Sequence, residues 1–260
     1  MSRYYNRFPE YVPVAQKKAE ARRNLETLKK NEPDMQPVTI EGSVIAKSWW
    51  GKAWNANLEK YADFSNRIGR GKSYLRYGAV LDLRVDRGCV TALVQGSRSK
   101  PYKVKIDIRP LSKKQKAHII RECASRISSL SDLLKGKFPK DLAEIFTQKG
   151  NGLFPAPKEI AFDCSCPDWA SMCKHVAAVL FGIGARLDDD PSLFFTLRDM
   201  DMQSLVSEAI ADKSDEMIRQ SSKVRSSRII EGADLSALFG IELSEGKKKR
   251  GKSVTPDRQT

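Results

Sequence analysis

Apolar residues recur near helical spacing from Trp49 to Phe64 in "SWWGKAWNANLEKYADF", which predicts a helix there. The period then changes from about 3.6 to two. "AVLDLRV" (residues 79–85) alternates well, "CVTALVQG" (89–96) follows as a second strand, and "YKVKIDI" (102–108) alternates strictly. Asp86, Arg87 and Gly88 read as the hairpin connection between the first two strands, with Gly88 taking positive φ. "RIGRGKSYLRYGAV", between the helix and the first strand, reads as a flexible stretch of glycines and bases. The simplest assembly over 44–110 is a three-stranded antiparallel meander with a helix packed on it.

Residues 111–157 read as a helical linker. Ser112 is the expected N-cap of "KKQKAHIIRECASRISSLSDLL", and a short helix, "DLAEIFTQ", follows Pro139. Within 158–200, "KEIAFD" is a short strand running into Cys164 and "CKHVAAVLFGIGARL" is a helix leaving Cys173. Asp188, Asp189 and Asp190 close that helix before Pro191. Residues 201–243 continue as a helical extension. Residues 1–43 form a basic arm around one helical stretch, "AQKKAEARRNLETLKKN", with Arg22, Arg23 and Glu26 at helical spacing. Residues 244–260, "SEGKKKRGKSVTPDRQT", carry six bases against two acids and few apolar groups, the pattern of a disordered tail. The expected fold class is α+β.

Charge adds a class of partner. The 260 residues hold 46 Lys plus Arg against 32 Asp plus Glu, a net +14. A surplus of this size suits nucleic acid, because each cation set near a phosphate releases a condensed counterion. No stretch approaches a membrane span or a secretory signal, so the expectation is a soluble cytoplasmic protein, nucleoid-associated if it binds DNA. Clustered cysteines in a reducing compartment point to metal ligands or redox groups before disulfides.

Such a cluster exists. "FDCSCPDWASMCKHVAAVL" (162–180) holds three of the five cysteines and one of the two histidines. Cys164 and Cys166 form one Cys-x-Cys pair, and Cys173 and His175 form a Cys-x-His pair six residues later. A redox pair at Cys164 and Cys166 leaves Cys173 and His175 without a role. A purely apolar core does not suit the intervening Asp163, Ser165, Asp168 and Lys174. One structural zinc uses all four, since such sites take four N or S donors in a tetrahedron. Positions i and i+2 of a regular helix diverge, so Cys173 and His175 must sit at the frayed start of the helix. Pro167 helps fix the turn after Cys166. Loss of a ligand should unfold the segment 160–190.

The run "CSCPDWASMCKHVAAVL" resembles the SWIM zinc finger, with a spacer at the short end for that family. The stretches "SWWGKAWNANLEKYADF", "RIGRGKSYLRYGAV", "VQGSRSKPYKVKI" and "GARLDDDPSLFFTLR" extend the resemblance over about 44–200, to the bacterial SWIM proteins often encoded beside Swi2/Snf2-like helicases. The resemblance implies zinc on Cys164, Cys166, Cys173 and His175. It also implies DNA binding or protein–protein contact, with a Swi2/Snf2-like ATPase as a partner.

Two basic stretches are candidate phosphate contacts: Arg67, Arg70, Lys72 and Arg76 in the first, Arg98, Lys100 and Lys103 in the second, joined by Lys174 from the finger. "GRGKS" lacks the spacing of a Walker loop. Trp49, Trp50 and Trp54 read as core, and Trp169 as a cap over the metal, with a binding role on the surface as the alternative. His118 and Cys123 stand five apart and do not share a helix face, so they read as ordinary core or surface residues. No nucleophile motif or paired-carboxylate pattern is present, so the chain reads as a binding module without a small-molecule substrate rather than an enzyme. The alternative to nucleic-acid binding is a protein adaptor, docking through apolar pieces such as "LFFTL" and "LSALFGIEL".

Overall fold

In a computed structural model, which describes residues 12–60, 65–135 and 137–223, the alternating segments form an antiparallel sheet. Its strands are β1 (Val80–Asp86), β2 (Cys89–Val94), β3 (Tyr102–Ile108) and β4 (Ile160–Cys164), in the order β1-β2-β3-β4. The β1–β2 hairpin closes at Arg87–Gly88, with Gly88 at φ 66°. The expected meander therefore gains a fourth strand, contributed by the segment that carries the cysteines.

Register sets where those cysteines go. Leu83 pairs with Ala92, Ala92 with Val104, and Val104 with Cys164. Directly paired residues share a face, so Cys164 lies on the same side of the sheet as this apolar row. That face is covered by helix α7 (Lys174–Asp189), in which Ala177 to Ile183 are all buried. The opposite face of β1 and β2 is covered by α1 (Val14–Lys29), where Ala21, Met35 and Leu81 form a second small core. This explains why β1 buries Val80, Leu81, Asp82 and Leu83 in succession instead of alternating.

Helix α2 (Trp49–Glu59) is capped by Ser48, whose side chain accepts from the Gly51 N–H. Asp188, at the far end of α7, reinforces this start: its carboxylate accepts from the Ser48 N–H at 3.1 Å and from the Ser48 hydroxyl. The Trp54 indole donates to the Leu180 carbonyl of α7 at 2.9 Å, and Trp54 is 1% exposed.

The stretch read as flexible, "RIGRGKSYLR", is helical: α3 spans Ser65–Arg76. Its glycines were misleading. A Cβ on Gly71 would lie 2.5 Å from the Ala177 Cβ, so Gly71 lets α3 pack closely against α7. Ile68, Gly71 and Leu75 make the seam, one turn apart.

The expected long helix after Ser112 breaks at Arg126 into α4 (Lys113–Ala124) and α5 (Ile127–Leu134). Ser112 caps α4 in a reciprocal pair with Gln115. Cys123 is buried, while His118 bonds Gln148 at the surface at 2.7 Å. After α6 (Ala143–Thr147) come β4, α7, α8 (Leu193–Leu197) and α9 (Met202–Lys223). Phe194, Phe195 and Leu197 of α8 are buried in the main core, so "LFFTL" belongs to it. The chain divides into two compact units, Met1–Ser214 and Asp215–Thr260. The expectations for residues 1–11, for 224–243 with "LSALFGIEL", and for the tail 244–260 lie outside the described residues.

No described helix is long and apolar enough to cross a membrane.

Candidate metal centre

Cys164 is the last residue of β4, and Cys166 lies in the bend that follows. The bend is pinned to β3 from both sides: Ser165 N–H donates to the Lys103 carbonyl at 3.0 Å, and Lys103 N–H donates to the Ser165 hydroxyl at 2.9 Å. Cys173 is the N-cap of α7, with extended backbone (φ −69°, ψ 170°), and its sulfur accepts from the Val176 N–H at 3.5 Å. His175 follows in the first turn. The non-helical N-cap is what lets residues two apart converge, as the spacing predicted.

The ligand atoms of Cys164, Cys166, Cys173 and His175 all lie within 4.8 Å of one another. His175 Nδ1 is 3.9 Å from the Cys164 sulfur and 3.9 Å from the Cys173 sulfur. A tetrahedron built on metal–sulfur bonds of about 2.3 Å and a metal–nitrogen bond of about 2.0 Å has donor–donor edges of roughly 3.5–3.8 Å. The four groups thus fit a single metal ion with little movement. Cys173 and His175 are buried, and Cys164 and Cys166 are half-buried.

Electrostatics favours charge on one sulfur. A hydrogen bond with Cys164 holds Cys173 down to about 4, helped by His175 and the Val176 N–H. The same bond, together with burial, pushes Cys164 up, and burial raises Cys166. Among three clustered thiols, the one at a helix start is the ready thiolate, the form that binds metal.

Aromatic rings close the site. Tyr102, on an inward position of β3, packs at a tilt against the His175 imidazole at 4.4 Å, and Tyr74 of α3 meets it edge-on at 5.4 Å. Gly96 lets the chain pass over both rings: a Cβ there would sit 2.3 Å from the Tyr102 ring and 3.1 Å from His175 Nε2. The strict alternation of β3 signalled that Tyr102 points inward; nothing in the sequence linked Tyr74 to the site. Trp169 does not take the capping position expected for it. It is 82% exposed, because the two tyrosines already cover the imidazole.

The basic candidates separate. Arg67 is bound to the spacer between the two pairs of candidate ligands, its Nη2 donating to Asp168 at 3.0 Å with both side chains largely buried. Lys72 pairs with Glu59 at 2.6 Å and lies over the Phe181 ring. Arg76 donates to the Ser43 carbonyl. These three have structural partners. Arg70 and Lys174 line one cavity beside the Cys/His cluster, and Arg98 lies over the Tyr102 ring, 5.8 Å from its centre. Lys100 is exposed in the β2–β3 connection, and Lys103 is exposed on the opposite face of the sheet.

No family model matches the chain. No solved structure matches it either. It is 38% identical over 192 residues to a Mycobacterium tuberculosis protein described as uncharacterized protein Rv2102, a match covering 70% of this chain and 69% of the relative. The chain belongs to the same family as that mycobacterial protein.

Proposed function

We propose that the chain is a SWIM-type zinc protein that binds nucleic acid, DNA foremost, as an accessory module for a Swi2/Snf2-like ATPase in the cytoplasm. The observation that carries this reading is the convergence of three cysteines and one histidine within 4.8 Å at the junction of β4 and α7. Three sulfurs and one imidazole nitrogen are a donor set for zinc, and four protein ligands leave no open position for a reacting water. Cys164, Cys166, Cys173 and His175 would therefore hold a structural ion, tying the end of the sheet to the start of the central helix. The net +14 supplies the attraction to phosphate. The ATPase link rests on the SWIM resemblance.

Zinc-loaded protein titrated against a labelled duplex and a labelled single strand at several salt concentrations tests this. The expected result is saturable binding whose log affinity falls with log salt, by about 0.9 per phosphate contacted on duplex. Absence of binding at low salt contradicts it.

A second reading, a protein adaptor, is favoured by one observation. Ile210, Met217 and Ile218 of α9 are 45%, 62% and 65% exposed, at seven- and eight-residue steps that share a helix face. In that case the same titration fails and partner capture depends on this stripe.

A further inference from the structure

One cavity outside the metal cluster combines charge, hydroxyl donors and an opening to solvent. It has a volume of about 410 Å³ and lies between α1, α3, the β2–β3 connection and the first residue of α7. Three bases line it, Lys17, Arg70 and Lys174, against one acid, Glu20. Arg70 is exposed and forms no ion pair among the described residues, whereas Arg67, one turn earlier on α3, is bound to Asp168. Lys174 is held over the Tyr74 ring, 5.9 Å from its centre. Tyr74 and Tyr77 also line it, their ring centres 5.1 Å apart.

Arg67, Arg70 and Tyr74 lie on one face of α3 at steps of three and four residues, and Tyr77 follows the helix end. Arg67 is tied to Asp168, the residue before Trp169. The exposed Trp169 thus follows directly on a residue that α3 holds, one turn from Arg70. Single strands bind by stacking bases on aromatic rings while cations hold the backbone, and an exposed indole and a cation-lined cavity are both present here. A duplex turns its bases inward, away from any such ring. A recess of about 410 Å³ falls in the range of small-ligand sites and has room for a phosphate group.

We propose that this cavity seats a backbone phosphate of single-stranded nucleic acid on Arg70 and Lys174, with Trp169 as the stacking platform for a neighbouring base. The inference rests on the nucleic-acid reading above and adds the strandedness and the site. Lys174 stands between two of the metal-binding residues, so the ion that fixes the start of α7 also fixes this cation.

The test is anisotropy of full-length, zinc-loaded protein with a short labelled oligothymidylate and with a matched blunt duplex. Arg70→Gln and Lys174→Gln should each weaken strand binding about tenfold and reduce the salt slope by about 0.7. Trp169→Ala should weaken it by about fivefold or more without changing the slope. Lys105→Gln, on the opposite sheet face, should change neither affinity nor slope by as much as Arg70→Gln. Arg70 and Trp169 lie outside the metal cluster, so unchanged metal content in those two variants shows that the fold is intact. If the wild type binds the strand and the Arg70 and Trp169 variants match it, the site is wrong while the nucleic-acid reading stands. A clear preference for duplex overturns the strandedness. If the wild type binds neither probe, the nucleic-acid reading itself falls, and this inference with it.

Discussion

Cys173→Ser should strip the protein of stoichiometric metal and open the finger spacer to protease. The substitution separates two roles of one residue. Serine is at least as good an N-cap as cysteine, so the start of α7 keeps its cap, now an oxygen in place of the sulfur that accepts from Val176. What is lost is the thiolate, and with it one of four donors. Structural zinc contributes on the order of 10 kcal/mol in small fingers, so removing a ligand should be visible in metal content without a finer assay. The damage should also be local. Helix α7 buries Ala177 to Ile183 against the sheet, α2 and α3 whether or not metal is present. New cleavage is therefore expected between Cys164 and Cys173, where the bend has little core of its own, with the rest of 160–190 protected longer. A Cys173→Ser protein that keeps one metal per chain and a protease-resistant spacer contradicts the assignment.

Trp54→Ala should be among the most damaging single changes to stability. Trp54 is 1% exposed, packs edge-on against Phe154 and Phe194, and its indole N–H satisfies the Leu180 carbonyl. Truncation leaves a cavity where α2 crosses α7 and an acceptor without its side-chain donor, a loss of about 3–5 kcal/mol. Trp169→Ala is the matching control. At 82% exposure it should cost less than about 0.5 kcal/mol. Urea unfolding of the two variants beside the wild type checks the pair. Similar midpoint shifts for both would mean that Trp169 is packed rather than presented.

What could be read from the chain alone follows the range of the interactions. The four candidate ligands lie within twelve positions, and local spacing sufficed to place Cys173 and His175 at a helix start. β3 and the Gly88 turn were legible for the same reason: alternation and a positive φ are properties of a few neighbouring residues. The fourth strand was legible as a strand, but its place beside β3 was not, because Cys164 pairs with Val104 across sixty residues and no local signal encodes a partner. In α3, glycine was taken for flexibility, although Gly71 is there because Ala177 leaves no room for a Cβ. Trp169 was expected to cover the metal because a small site needs an apolar lid; Tyr102 and Tyr74 supply it from elsewhere in the chain. The basic residues between Arg67 and Arg76 looked equivalent, and only the folded helix separates Arg70 from Arg67, Lys72 and Arg76, whose partners are internal.

The central claim is that Cys164, Cys166, Cys173 and His175 hold one zinc. Zinc-edge X-ray absorption on protein purified under reducing conditions, with metal content measured on the same sample, tests it most directly. The account predicts one zinc per chain with three sulfurs at about 2.3 Å and one nitrogen at about 2.0–2.1 Å. Protein that takes up no zinc, or zinc surrounded mainly by oxygen, would contradict it.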